Sequence, residues 1–384
     1  MKKMIIFGAG KYGKLALQYY SNIQNIAFLV DNSSNLWGHS IMGFEIKKPD
    51  ILNNIDKNDY FVLIAVKNKE NDIANQLKEY GFNYYANFEI NQKLKCLSEN
   101  NYNNVDKRII EFQCGLGNQL FQYAFYKCME NKEGGELYAD LSTYLFNKRN
   151  FELNKCFSGI KLNILIPGSV GQEYFSDSLF FDEKNGGVIP PEKADVSTLN
   201  IQKGYFRGFW QSYVFVQQVE SVLKKDLVFK YKNDKGLIRL TSKLKKLSNT
   251  CSIHVRRGDY TSSVCEGTLG DVCDIAYYQK AIEYMLKTHP DLTFYLFSED
   301  AEWLRENLCI ANSIIIDKEM FDDYEDWYDM YLMSLCKHNI IANSTFSWWG
   351  AWLNNNPNKV IVAPVRWRFD CDIKDICPPE WTRL

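Results

Sequence analysis

His254-Val255-Arg256-Arg257-Gly258-Asp259-Tyr260 sets two adjacent guanidinium groups behind a histidine, at the end of the apolar run Cys251-Ser252-Ile253. Arginine presents a planar fork that meets phosphate oxygens in pairs. Ligands of open α/β sheets lie at the carboxyl ends of the strands, so this fork is placed to hold a phosphate. Neighbouring side chains of an extended segment point apart. One arginine is therefore expected to reach the ligand and the other to brace the loop, paired with Asp259. A plain Arg–Asp ion pair is the competing reading, and it loses weight because a second anion-binding pattern follows downstream.

That pattern is Asn343-Ser344-Thr345-Phe346-Ser347-Trp348-Trp349-Gly350, a strand end entering a helix, where hydroxyls and backbone N–H groups suit a phosphate. Its two tryptophans read as core packing. Between the two patterns lies Ser298-Glu299-Asp300, where one acid can cap the following helix while its neighbour accepts hydrogen bonds from a guanine edge. Upstream, Cys114-Gly115-Leu116-Gly117-Asn118-Gln119 forms another strand–turn–helix corner, with Asn118 either a ligand donor or a tie for the turn. Gly8-Ala9-Gly10-Lys11-Tyr12-Gly13, with Asp31 after the next strand, fits a dinucleotide-binding fingerprint. The competing reading is a turn that keeps the fold and binds nothing.

Elements able to position these motifs alternate strand and helix along the chain, which implies parallel sheets. Residues 1–98 read as a small Rossmann-like α/β unit, with helix Lys14–Ile23 and strands around Ile5, Ala27 and Val62. A polar, Asn-rich stretch after Phe88 marks the boundary. Residues 99–235 begin a second unit at Arg108, and residues 236–384 a third, with a helix over 326–339 followed by the strand 340–343.

Bulk properties narrow the function. With 45 basic against 47 acidic residues, the chain has no overall field to attract nucleic acid or an anionic membrane, so anion binding must be local. Eleven scattered cysteines without a CxxC, and four isolated histidines, indicate neither a disulfide framework nor a zinc site. The opening apolar run is too short for a signal peptide or a membrane span, so the expected location is cytoplasmic.

Taken in order, GLGNQLFQYAF, DLSTY, RNFEL, GFWQSYVF, HVRRGDY, FSED, NSTFSWWGAWLN and the tail PPEWTRL resemble the bacterial α-1,2-fucosyltransferase family over residues 105 to 384. The resemblance implies a GT-B architecture, two facing Rossmann-like domains, and an inverting, metal-independent transfer from GDP-fucose to the 2-hydroxyl of a β-galactoside in surface glycan synthesis. It implies Arg256 on the pyrophosphate, His254 and Asp300 on guanosine, and Ser344, Thr345 and Ser347 on the phosphates, with Gly117, Asn343 and Phe346 lining the site. Arg257 shares the phosphate or braces the loop, and Asn118 lies near the fucose. Arg256, Asn118 and His254 are the expected catalytic groups. Asp140, Glu173 and His254 are candidate bases, and Trp210 and Gln211 candidate acceptor contacts, by a stacking face and hydrogen bonds to a sugar, with core packing the equal alternative for Trp210. No cofactor is expected. A lipid-linked acceptor would bring the protein to a membrane surface.

Three rivals remain in view: a transferase using another nucleotide sugar, a bifunctional protein whose Gly8, Gly10, Gly13 and Asp31 serve an NAD-dependent sugar-modifying module, and an N-terminal unit that docks or oligomerises.

Overall fold

The computed structural model describes residues 3–20, 26–82, 85–88, 106–145, 149–165, 180–182, 203–261, 265, 267–270, 272–369 and 375–384. Three sheets follow one another along the chain. The first is built from β1 (Lys3–Phe7), β2 (Ile26–Val30), β3 (Ser40–Ile41), β4 (Phe44–Lys47), β5 (Tyr60–Ile64) and β6 (Tyr85–Asn87), with helices α1 (Lys11–Tyr20) and α2 (Glu70–Glu79). Its strand order is β3-β4-β2-β1-β5-β6, parallel apart from the β3–β4 pair. Helix α1 starts three residues before the sequence reading, inside the glycine turn. The turn leaves the strand at Gly8, whose φ of 116° suits glycine, so the following residues are free to enter the helix.

The second sheet holds β7 (Lys107–Glu111), β8 (Glu136–Asp140), β9 (Phe180–Asp182) and β10 (Gly204–Arg207), in the order β8-β7-β10-β9 and wholly parallel. Helix α3 (Leu116–Glu130) follows β7, and the short α4 is Leu153–Cys156. Helices α5 (Tyr213–Gln218), α6 (Glu220–Asp226) and α7 (Lys235–Lys246) then lead to the third sheet. There β11 (Thr250–His254), β12 (Thr293–Phe297), β13 (Ser313–Ile315), β14 (His338–Ile340), β15 (Ile361–Ala363) and β16 (Thr382–Arg383) are parallel in the order β13-β12-β11-β14-β15-β16. Its helices are α8 (Ile275–Thr288), α9 (Ala301–Asn307), α10 (Trp327–Leu335) and α11 (Thr345–Trp352).

The helix expected over 326–339 is shorter, because Lys337 donates its backbone N–H to Thr250 and the chain re-enters the sheet at His338. Asn339 explains why the strand tolerates a polar residue at its centre: its amide donates to Ser252 Oγ at 2.7 Å and to the Met333 carbonyl at 2.9 Å. The second and third units share one hydrophobic core. Phe121 of α3 packs on Trp348 and Trp349 of α11, with ring centroids 4.7 and 5.2 Å apart, and all three are fully buried. The tryptophan pair is therefore core, as its composition suggested.

Strand order matters more than strand count. In each sheet the order reverses next to the first strand, and a crevice opens there above the carboxyl ends. The reversal falls between β1 and β5, between β7 and β10, and between β11 and β14. The three motifs GAGKYG, CGLGNQ and HVRRGDY follow β1, β7 and β11 respectively, so each sits at a switch point.

Candidate functional site

At the second switch point the first turn of α3, which follows β7, carries Asn118 and the loop after β10 carries Gln211. They meet: Gln211 Nε2 donates to Asn118 Oδ1 at 2.8 Å. Gln119 secures the loop between β7 and α3 from inside, donating to the carbonyls of Cys114 at 2.9 Å and Asn150 at 3.0 Å. At the third switch point, Arg256 leaves β11 and ion-pairs with Glu299, while Ser344 and Thr345 open α11 after β14.

The two switch points face each other. A Cβ on Gly117 would fall 2.5 Å from the Thr345 carbonyl carbon and 2.6 Å from the Phe346 nitrogen. Glycine at this position lets the amino termini of α3 and α11 approach backbone to backbone, so their free N–H groups and positive dipole ends lie on the same side of the molecule. Between them is a cavity of 250 Å³. Its wall includes Gly117, Asn118, Gln211, Arg256, Ser344, Thr345 and Phe346, drawn from both units. Arg149 and Arg368 add two more guanidinium groups, and no carboxylate lies among the described lining residues. Such a wall attracts a multiply charged anion.

A second cavity, of 350 Å³, adjoins it across Arg256, Tyr260 and Leu269, the three residues common to both walls, and is also lined by Asn343. Arg257 lines it, its guanidinium 4.6 Å from the Trp303 ring centroid and its Nε 3.9 Å from Asp300 Oδ2. Arg257 thus braces against Asp300 and Trp303; the side chain of Asp259, expected as the brace, lies outside the described residues. Tyr260 completes the loop, its hydroxyl donating to the Asn343 carbonyl at 3.0 Å and its ring 5.4 Å from the Arg256 guanidinium.

Other expected site residues are off the wall of the first cavity. Asp300 caps α9, accepting from the Trp303 N–H at 2.9 Å, and is on neither cavity wall. Ser347 is fully buried and its hydroxyl turns to the Ser344 carbonyl at 3.2 Å, because the helix packs that face inward. Asn343 spends its amide on the carbonyls of Leu269 and Trp367, at 2.9 and 3.0 Å. His254 lies under the loop, 3% exposed, on neither wall. Burial, with help from the Arg256 charge, lowers its pKa to about 3, so the ring is neutral at ordinary pH.

The acceptor candidates separate as well. The ring of Trp210 is buried and stacked on Phe125, centroids 4.0 Å apart, which corrects its reading as a sugar-stacking face. Asp140 is buried away from the cavity: the Tyr205 hydroxyl oxygen lies 2.7 Å from Asp140 Oδ2 and 2.8 Å from Glu111 Oε2. Burial raises the pKa of Glu111, against the opposing pull of Arg207. Glu173 lies outside the described residues.

In the first unit, Gly13 packs on the turn so closely that a Cβ would lie 1.9 Å from the Gly8 carbonyl oxygen, whereas Gly10 faces open space. Asp31 closes on the same turn, accepting from the Ala9 N–H at 2.7 Å and the Ser33 N–H at 2.8 Å. Gly8 and Gly13 are therefore accounted for by the turn itself, Gly10 is not, and Asp31 serves that turn in this structure.

Arg149 and Arg368 were missed by sequence reasoning, and Glu299 was read as a cap or a guanine contact but not as the partner of Arg256. Glu299 stood inside a quoted motif, FSED, and Arg149 inside another, RNFEL; a basic residue within an otherwise apolar and polar motif was the available signal. Arg368 offers none.

A pair of facing switch points with an arginine-lined cleft between them is what these elements define. The chain belongs to glycosyl transferase family 11, whose model matches residues 170–384. Residues 1–87 match a second family model, C2185-like, N-terminal. An alpha-1,2-colitosyltransferase of Escherichia coli is 30% identical over 296 residues, covering 70% of this chain and 96% of that protein. The O-antigen biosynthesis glycosyltransferase WbnK of Escherichia coli is 31% identical over 301 residues, 70% of this chain and 98% of that protein. Galactoside alpha-(1,2)-fucosyltransferase 1 of Saimiri boliviensis boliviensis is 31% identical over 101 residues, 26% of this chain and 28% of that protein. Among the described residues no helix is long and apolar enough to cross a membrane, and no cluster of three or more His, Cys, Asp or Glu side chains is arranged to hold a metal ion.

Proposed function

We propose that the chain is an inverting α-1,2-fucosyltransferase of GT-B architecture that moves L-fucose from GDP-fucose to the 2-hydroxyl of a terminal β-galactoside during O-antigen or capsule-type glycan synthesis. In this reading residues 99–235 form the acceptor-side domain, 236–384 the donor domain, and 1–98 an added Rossmann-like domain. One observation carries it: the cavity between two facing switch points, with Arg256, Arg149 and Arg368 on its wall, two helix amino termini beside it and no described carboxylate.

Breaking the bond from fucose C1 to the donor oxygen leaves an oxocarbenium-like sugar and gathers negative charge on the β-phosphate. Arg256 and the N–H groups opening α11 would stabilise that charge as it develops, the kind of contact whose loss costs about 10²–10³ in rate. Asn118 and Gln211, held to each other, would orient the sugar from the facing side. His254, neutral and buried, supports the loop rather than taking the acceptor proton. The adjoining cavity beside Arg257, Trp303 and Asn343 is the candidate room for the nucleoside.

The names of the relatives support an α-1,2 linkage and O-antigen synthesis, and one of them is a colitosyltransferase. That relative favours a second reading, transfer of a colitosyl group by the same chemistry. Incubating the protein with GDP-fucose and a β-galactoside, then assigning the product linkage by NMR, tests the proposal. An α-1,2-fucosylated product is expected. Turnover of a different nucleotide sugar with none of GDP-fucose would replace it with the second reading.

A further inference from the structure

We infer that the chain docks on an anionic lipid surface through the stretch that joins the second and third sheets. Residues 220–246 carry nine Lys or Arg against three Asp or Glu, in a chain whose formal net charge is -2. Two of those acids, Asp226 and Asp234, are buried, and the third, Glu220, pairs with Lys224 at 2.6 Å. Lys232 is also paired, with Glu325 at 2.7 Å, and the remaining basic residues leave the charge that faces water here positive, although the molecule as a whole is not.

The same stretch also exposes apolar surface. Of the seven large hydrophobic side chains exposed among the described residues, three lie in it: Val228 at 52%, Tyr231 at 79% and Ile238 at 38%. Helix α7 explains the arrangement. It buries Leu237, Leu240 and Leu244, so its lysines and Arg239 are turned outward, with Lys243, Lys245 and Lys246 in its last turn. Between this helix and the carboxyl ends of α10 and α11 runs a groove of 750 Å³ with an apolar floor including Phe229, Tyr331 and Trp352 and rimmed by Lys224, Lys245 and Lys337. No acid lies among its described lining residues.

Basic side chains around exposed apolar and tyrosyl groups match an anionic bilayer face, where lysines meet headgroup phosphates and apolar groups enter the interface. A soluble anion would use the lysines and leave Val228 and Tyr231 without a role. The placement also suits an enzyme at work. Lys337 precedes β14 and the groove borders the carboxyl end of α11, whereas the arginine cavity opens at the carboxyl ends of the strands and the amino end of the same helix. Docking by this face therefore leaves the cleft mouth clear.

Co-sedimentation of the full chain with vesicles tests the inference. Binding is expected to vesicles of phosphatidylcholine mixed with phosphatidylglycerol, and not to phosphatidylcholine alone. Removing charge in Lys225→Gln/Lys245→Gln/Lys246→Gln should weaken it about fivefold per lysine, on the order of a hundredfold in all. Tyr231→Ser should weaken it less, and added salt should release the wild type as charges beyond about 8 Å become screened. Retention of GDP affinity by the triple variant shows that its fold is intact, and if that variant fails to fold the salt titration of the wild type decides alone. Equal binding to neutral vesicles, no binding to either, or salt-insensitive binding would overturn the inference. So would a vesicle-independent dimer abolished by the triple substitution, which would assign the face to self-association.

Discussion

Gly117→Ala separates stability from function at the meeting of the two units. The new Cβ would lie 2.5 Å from the Thr345 carbonyl carbon and 2.6 Å from both the Phe346 nitrogen and Thr345 Oγ1. Ordinary contact is about 3.5–4.0 Å, so the amino termini of α3 and α11 must part by about 1 Å, since most of what the methyl meets is backbone. Overpacking of this kind costs about 1–3 kcal/mol. Alanine in the first turn of α3 returns up to about 1 kcal/mol of helix propensity. The net loss is then about 0–3 kcal/mol, a fall in Tm of at most several degrees. In the proposed mechanism transfer depends instead on the register of Asn118 against Arg256, and a displacement of about 1 Å at a reacting centre costs ~10²-fold. The expected result is a folded variant whose transfer rate falls about a hundredfold, read by initial-rate assay beside thermal unfolding. Wild-type rate and GDP affinity in a folded Gly117→Ala protein would refute the claim that the two helix ends form one site.

Arg149→Ala should lower kcat by ~10² while leaving GDP binding weaker but measurable, since it reaches the cavity from the opposite unit to Arg256, and Arg149→Lys should recover part of it. Tyr205→Phe removes the hydroxyl between two buried carboxyl groups and should destabilise by about 1–3 kcal/mol in urea unfolding, with the cavity's GDP affinity little changed. His254 and His338, lowered to about 3 and about 4 from 6.5 chiefly by burial, stay neutral in the fold. Their stabilisation is complete above pH 6.5 and is lost as the pH falls towards those values, by about 1.4 kcal/mol per pH unit for each ring. Unfolding measured at successive pH values should show this slope, and His338→Asn should make it shallower.

Much of this arrangement was legible because local chemistry and topology coincide. A glycine turn between an apolar strand and a helix marks a crossover, so CGLGNQ and HVRRGDY announced their corners without any knowledge of the sheet. Strand order was not legible, and only that order shows that the corners are switch points and that two of them face each other. Side-chain direction was equally hidden. Ser347 and Trp210 carry the right groups for sugar and phosphate contacts, yet both turn into the core, one along a helix face and the other by a left-handed backbone at φ 56° that aims its ring at Phe125. Asp31 shows the converse, a fingerprint acid used by its own turn.

Calorimetric titration of the protein with GDP, in the presence of chelator, tests the central claim most directly. The account predicts binding by the wild type and its loss in folded Arg256→Ala. Absence of GDP binding in the wild type, or undiminished binding in that variant, would contradict it.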